Sequence, residues 1–283
     1  MYNGRDMIFV YDGTFEGFMS AVFDAYTLKI VPRDITISEE VQLTFETEFH
    51  RVETSAEKSD RVMAGMTEKI GGDFTYSVMN AFLSWFPDRA LTIYRYIVLG
   101  FKMKDKILLM LDDDIVRKVN DMRRQVGREV NKLSGFLRFS VMENDVMYAE
   151  ISPQNNCLTC LMPHFSDRMK GLPFLIHDMT YHQVGVYDTR HWYIRDAEGL
   201  QIPKYSADEM QYRRMWKAFY DTIGIDGRKN LKLRQQFMPL RYQKHMFEMR
   251  EDYFLDGAVA NPPPSITEMP QIAGTQLELP PGQ

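Results

Sequence analysis

The cysteine and histidine residues with the clearest spacing for chemistry lie in the second half of the chain. Cys157 and Cys160 form a C-x-x-C pair, and His164 follows four residues later. On a helix these three side chains share one face and could converge on a metal ion. A closed zinc site needs a fourth ligand, which one of the later histidines would have to supply. We therefore predict that the cysteines pack in the core, and that the chain holds no metal and no other cofactor.

A second set of reactive side chains consists of His164, Arg168 and Asp178. His164 and Arg168 are four residues apart and share a helix face, while Asp178 lies on a predicted strand. In one cleft they would supply an acid–base pair and an anion-binding group for an enzyme acting on nucleotides or damaged DNA. The alternative is that the histidine only makes structural hydrogen bonds. The sequence leaves open whether the protein is an enzyme.

Two segments are strongly basic although the whole chain has a net charge of −5. Residues 117–138 contain seven Lys or Arg against two acidic residues, and residues 204–250 contain eleven against five. Such local charge is typical of a confined anion-binding face, although solvated helix faces are the simpler alternative. Aromatic residues between the cations could stack on bases. The predicted nucleic-acid-binding residues are Arg124, Arg128, Lys132, Arg138, Lys232, Arg234, Arg241 and Tyr242.

The N-terminal region predicts a strand, a turn and a helix. Residues 7–11 form an apolar run, and Asp12, Gly13 and Thr14 follow with turn and capping chemistry. Backbone amides at this point could hold an anion, although a tight turn with a helix cap explains the same residues. The helical spacing predicts one buried face, made of Phe15, Phe18, Met19, Val22, Phe23 and Tyr26.

The remaining elements alternate between helical and extended patterns. We expect extended chain at 41–53 and helices at 55–70, 75–86, 88–100, 112–133 and 156–168, with Pro87 in a first helical turn. Predicted strands cover 135–141, 146–151, 173–179, 183–187 and 191–194. A capping box, Ser206 to Glu209, opens a helix to about 223, and further helices cover 230–236 and 239–249. On the first of these strands Arg138 would face away from Leu137 and Phe139, where it binds a base or pairs with Glu150.

These elements indicate an α+β fold, in which helices surround a mainly antiparallel sheet and a strand–turn–helix opens the chain. We predict one domain over residues 1–256, with a possible sub-boundary near 111. Six of the thirteen prolines lie between Pro262 and Pro281, so residues 257–283 are predicted to form a disordered tail.

The composition is typical of a soluble globular protein, with 45% apolar and 26% charged residues. We find no apolar run long enough to cross a membrane, no signal-peptide pattern at the N-terminus and too few cysteines for a disulfide scaffold. A cytoplasmic location without membrane contact is therefore expected.

Several blocks of the sequence resemble a bacterial family of DNA-metabolism proteins of unknown function, encoded beside a radical-SAM protein assigned to DNA repair. The blocks are Tyr11–Phe18, Arg128–Phe139, Pro163–Arg168, Phe174–Asp178 and Asn230–Tyr242. The resemblance implies a role in DNA repair or metabolism, with the radical-SAM protein as a partner and DNA as a possible ligand. Some relatives are joined to a domain like uracil-DNA glycosylase.

One departure from the family changes the expected role of the basic helix. Relatives carry His-Arg where this chain has Asn131-Lys132, and an amide does not titrate in place of a histidine. The sequence therefore favours a nucleic-acid-binding accessory protein over an acid–base catalyst. The alternatives are an enzyme that uses His164, Arg168 and Asp178, and a protein-interaction module that binds no nucleic acid.

Overall fold

The computed structural model describes residues 7–38, 48–225 and 230–249. The chain forms two compact units, which are described separately below. The N-terminal unit comprises the described residues up to Gly135 together with Pro153–Leu161, and the C-terminal unit comprises Phe136–Ser152 and the described residues from Met162 onward. The predicted Pro-rich tail at 257–283 lies outside the described residues.

A three-stranded parallel sheet lies in the N-terminal unit. It contains β1 (Met7–Val10), β2 (Asp34–Thr36) and β3 (Glu48–Arg51), in the order β2-β1-β3. The central strand β1 buries Ile8 and Phe9, which point to opposite faces of the sheet. Because both faces are covered, β1 is an unbroken apolar run. The extended chain predicted at 41–53 is confirmed at β3, while residues 41–47 lie outside the described part.

Helix α1 (Phe15–Leu28) follows the first turn as predicted. Thr14 caps it, since the Thr14 hydroxyl accepts the backbone N–H of Gly17 at 2.9 Å. Phe18, Met19 and Val22 are buried, but Tyr26 is 86% exposed. The prediction for Tyr26 is wrong because this residue stands in the last helical turn, where its side chain projects into solvent.

The other helices of the N-terminal unit pack on this sheet and on one another. They are α2 (Ala56–Lys69), α3 (Gly72–Phe82), α4 (Arg89–Met103), a 3₁₀ helix (Lys104–Leu109) and α5 (Asp114–Phe136). The predicted helix at 75–86 is wrong at its C-terminal end, because α3 stops at Phe82 and leaves Trp85 and Phe86 in a loop. Pro87 precedes Asp88, the N-cap of α4, and so lies outside the helix.

A five-stranded sheet forms the centre of the C-terminal unit. Its strands are β4 (Ser140–Val141), β5 (Met147–Ile151), β6 (Phe174–Asp178), β7 (Gln183–Tyr187) and β8 (Trp192–Asp196), in sequence order across the sheet. All neighbouring pairs are antiparallel except β5 and β6, which are parallel. A parallel pair needs a crossover, and the chain between them includes α6 (Leu158–Arg168). The predicted α+β class with a mostly antiparallel sheet is confirmed.

The first predicted strand of this sheet is wrong over Gly135–Phe139. Helix α5 continues to Phe136, and the strand is limited to Ser140 and Val141. The helical backbone extends through Phe136, and the Ser134 hydroxyl donates to the carbonyl of Val130, four residues earlier, at 2.9 Å. Arg138 therefore lies in the turn between helix and sheet.

Three helices and a 3₁₀ turn follow the sheet: α7 (Glu209–Ile223), α8 (Leu231–Phe237), α9 (Leu240–Gln243) and Phe247–Met249. The predicted capping box is wrong. The backbone N–H of Ser206 donates to the carbonyl of Val141, and the buried Glu209 carboxylate accepts from the N–H of Val141 and from Arg213. Within the described residues, no helix has both the length and the apolar character needed to cross a bilayer.

Candidate nucleic-acid interface

Helix α5 places two of the predicted DNA-binding arginines in solvent. Its buried face consists of Val116, Val119, Met122, Val126 and Leu133, at helical spacing. Because this stripe faces the core, Arg124 and Arg128 lie on the exposed side, while Lys132 is half-buried. The helix therefore presents these two arginines to solvent about one turn apart.

A cavity of ~300 Å³ opens beside these arginines within the N-terminal unit. We call it the aromatic–basic cavity; its lining residues are Phe86, Asp88, Lys118, Asp121, Met122, Arg124, Gln125 and Arg128. Trp85 stacks on Phe86 with ring centroids 5.2 Å apart and an interplanar angle of 27°. The Trp85 indole N–H donates to the side-chain oxygen of Gln125 at 3.2 Å, so α5 holds the ring in place.

The cations of the cavity are only weakly neutralised. Lys118 lies 3.3 Å from the carboxylate of Asp88, and Arg124 lies 3.8 Å from that of Asp121. Both pairs are more than half exposed, and such pairs contribute about 0–1 kcal/mol. Arg128 makes no ion pair with any residue that the structure describes. A phosphate could therefore approach these groups at little cost.

Glu129, the residue after Arg128, fixes the orientation of the helix. Its carboxylate is buried and accepts the backbone N–H of Gln154 at 2.9 Å, the backbone N–H of Asn155 at 2.7 Å and the Asn155 amide at 2.6 Å. The Asn155 side-chain oxygen in turn accepts the backbone N–H of Trp85 at 3.2 Å. Asn155 thus links the helix that carries the arginines to the loop that carries the aromatic rings.

Two predicted binding residues of the C-terminal unit are occupied by intramolecular contacts. Arg138 binds the buried carboxylate of Glu248 through Nε and Nη2 at 2.9 and 2.7 Å, and it does not pair with Glu150 as one alternative predicted. Tyr242 is buried, and the Arg241 guanidinium lies 4.8 Å above its ring. Tyr242 therefore has no free face for a base. Lys232 and Arg234 on α8 and Arg241 on α9 are exposed, so these three predicted binding residues face solvent.

The residues of the predicted catalytic cleft do not face solvent together. His164 and Arg168 are exposed on α6, whereas Asp178 is fully buried at the end of β6. The Asp178 carboxylate accepts the backbone N–H groups of Thr180 and Tyr181 at 2.9 and 3.1 Å. Asp178 is thus engaged in a local turn, while His164 and Arg168 face solvent.

The two cysteine thiols have different protein partners. Cys157 is buried with its sulfur 3.9 Å from the Glu129 carboxylate, and the Cys160 sulfur lies 4.0 Å from the side-chain oxygen of Asn80. Burial raises the pKa of the Cys160 thiol. Among the described residues, no group of three or more His, Cys, Asp and Glu side chains is placed to hold a metal ion.

The anion-turn candidate is filled by the protein's own carboxylate. Asp12 accepts the Thr14 backbone N–H at 2.9 Å, the Thr14 hydroxyl at 2.6 Å and the Thr54 hydroxyl at 2.8 Å. Burial raises the pKa of Asp12, but these hydrogen bonds outweigh it and the pKa is lowered. The arrangement agrees with a tight turn and a helix cap, in which Gly13 adopts a φ of 84°.

A polar cluster in the C-terminal unit was not predicted. The Tyr148 hydroxyl donates to Glu150 at 3.1 Å and lies 2.8 Å from Nδ1 of His177. His245 lies 3.4 Å from the other Glu150 oxygen and 2.9 Å from the Ser152 hydroxyl. The hydrogen bond from His245 lowers the pKa of Glu150, and burial lowers the pKa of His177. This chain of hydrogen bonds joins residues almost a hundred positions apart in the sequence.

The fold and the site define an α+β protein with an aromatic–basic cavity beside a long amphipathic helix. A family model described as a domain of unknown function, DUF4130, matches residues 87–248. This match covers more than half of the 283 residues, so the chain belongs to this family. No curated protein matches the sequence.

Proposed function

We propose that the protein is a DNA-binding accessory in DNA repair or metabolism, acting with a partner enzyme of the radical-SAM type. The observation that supports DNA binding is the aromatic–basic cavity, where Arg124, Arg128 and Lys118 lie beside the Trp85–Phe86 stack. The combination of phosphate-binding cations and an aromatic stack is typical of nucleic-acid grooves. The DNA context and the partner rest on the sequence resemblance.

Electrostatics should dominate this binding. Each phosphate that the helix neutralises releases counterions, so the logarithm of affinity should fall with the logarithm of salt concentration by about 0.7–0.9 per contact. The chain as a whole is acidic, with a net charge of −5, which confines binding to this face. The positive field of α5 should therefore be local and strongly screened by salt.

The test is fluorescence anisotropy with labelled DNA from about 50 to 200 mM salt. We expect measurable binding at the lowest salt, and we expect the Arg124→Ala/Arg128→Ala protein to lose about 1.4–1.8 from the salt slope if each arginine contacts one phosphate. Arg95→Ala is the matched control, because Arg95 is also exposed on the N-terminal unit but does not line the cavity. No binding by the unaltered protein at low salt would reject the proposal.

The partner requires its own surface, and α7 offers one. Tyr212, Met215, Trp216, Phe219 and Ile223 recur at helical spacing and are 40–61% exposed. Tyr212, Met215, Trp216 and Phe219 also line an open groove of ~740 Å³ within the C-terminal unit, together with Phe139, Val141 and Phe247. An exposed apolar stripe of this kind is typical of a protein-binding site.

Co-purification with the radical-SAM protein encoded beside members of the resembled family tests the proposed docking on α7. Met215→Asp/Phe219→Asp should abolish capture, because each change places a charge on the apolar stripe. Arg214→Asp is the control, since its position on α7 lies about 100° around the helix from Met215 and about 155° from the centre of the apolar stripe, on the opposite side. Equal capture of both altered proteins would show that α7 is not the docking face. Failure to capture the unaltered protein would reject the radical-SAM protein as the partner.

A further inference from the structure

We infer that the aromatic–basic cavity takes one unpaired base of single-stranded or locally opened DNA, with the flanking phosphates held by α5. The inference rests on the proposed DNA binding and names the form of DNA that this site takes. It is carried by the size of the cavity, by the spacing of its cations, and by Trp85, which lies beside the cavity in contact with the lining residues Phe86 and Gln125.

The size of the cavity fits a single planar group. Its volume of ~300 Å³ lies at the lower end of the range for small-molecule sites. Phe86 and Met122 give it an apolar wall, while the charged residues stand around it. A base inside a duplex is stacked on both faces and paired at its edge, so it would have to leave the helix to reach this wall.

The rings are held ready for stacking. Trp85 is 43% exposed although one side of the indole contacts Phe86. Its ring N–H is bound to Gln125 and its backbone N–H to Asn155, which limits rotation of the ring. An exposed indole with a fixed orientation is a stacking platform that accepts any base.

The spacing of the cations along α5 allows them to contact successive phosphates of a single strand. Arg124 and Arg128 are four residues apart, or about 6 Å along the axis, and Lys118 and Arg128 are about 15 Å apart. Phosphates on both sides of an inserted base can therefore each meet a cation.

The experiment compares oligothymidylate, a duplex of equal length, the same duplex with one unpaired thymine, and oligouridylate. In anisotropy titrations the single strand and the duplex with the unpaired base should bind about 5- to 150-fold more tightly than the plain duplex. Trp85→Ala should remove this preference, whereas the control Arg95→Ala, which lies outside the cavity lining, should leave the preference and the salt slope unchanged. Trp85→Phe should keep most of the preference.

A second measurement leaves Trp85 in place. With Trp192→Phe and Trp216→Phe, Trp85 is the one remaining tryptophan of the chain, and its emission should be quenched by the single strand but not by the plain duplex. This readout holds even if Trp85→Ala fails to fold.

The outcomes separate the two proposals. Equal affinity for single strand and duplex, with Trp85 emission unchanged but the arginine double variant still weakened, would overturn the base-binding inference and leave DNA binding standing. Absence of binding to every probe would reject both. Oligouridylate bound more than tenfold more tightly than oligothymidylate would overturn DNA as the ligand.

Discussion

The buried carboxylate of Glu129 should contribute a large share of the stability of the N-terminal unit. Replacing it by alanine removes the acceptor of three N–H groups. Gln154 is exposed, so water can satisfy its amide, but Asn155 is buried and two of its donors would be stranded. Each stranded donor costs about 1–3 kcal/mol, so the two together give about 2–6 kcal/mol for Glu129→Ala. Glu129→Gln keeps one acceptor oxygen and should cost about half as much.

Urea unfolding measures this loss. Trp85 emission, in a protein with Trp192→Phe and Trp216→Phe, reports on the N-terminal unit because the Trp85 backbone binds Asn155. Glu68→Ala, an exposed glutamate on α2, should change the free energy of unfolding by no more than about 0.5 kcal/mol. If Glu129→Ala stays within about 1 kcal/mol of the unaltered protein, the donors are satisfied without the carboxylate and the reasoning fails.

Three further predictions concern other parts of the chain. A Cβ on Gly17 would lie 2.1 Å from an Asp12 oxygen, so Gly17→Ala should lower the free energy of unfolding by about 1–3 kcal/mol. Gly127 on α5 has open space around it, so Gly127→Ala should raise the free energy of unfolding by up to about 1 kcal/mol. The urea assay measures both. The pKa of His177 is lowered in the folded protein from its usual value of 6.5. As the pH falls through that value, this side chain therefore binds more protons in the unfolded chain than in the folded one. Stability should therefore fall as pH drops from 7 through 6 and below, and His177→Asn should flatten that part of a plot of melting temperature against pH. Because burial raises the pKa of Cys160, its alkylation by iodoacetamide at pH 8 should be slow in the folded protein and fast in urea; equal rates would contradict this assignment.

The sequence predicts elements well where a local pattern sets them. The apolar run at β1, the Thr14 cap and the amphipathic spacing of α5 each depend on neighbouring residues, and the structure has all three. Local patterns also mislead when a distant residue competes. Ser206 and Glu209 have capping-box spacing, but both bind the backbone of Val141 instead. The Val141 carbonyl accepts the Ser206 N–H, and the Val141 N–H donates to the Glu209 carboxylate.

In the candidate site, too, the residues set by local patterns could be predicted and those set by distant contacts could not. Arg124 and Arg128 could be predicted because charge density and helical period are visible in one segment. The helical pattern over 75–86 includes Trp85 and Phe86, although the position of Phe86 directly before Pro87 disfavours a helical backbone there. Pairing of Arg138 with Glu248 joins residues more than a hundred positions apart, and no local pattern reports such a contact.

The bond network through Asn155 has a kinetic consequence. Since one side chain joins Glu129 on α5 to the backbone of Trp85, the separation between the cations and the indole is set before any ligand arrives. Binding would then lose little conformational entropy of these side chains and would need no conformational change beforehand. Association should accordingly be fast and steered by charge, with salt acting mainly on the association rate and the Trp85 stack mainly on the residence time.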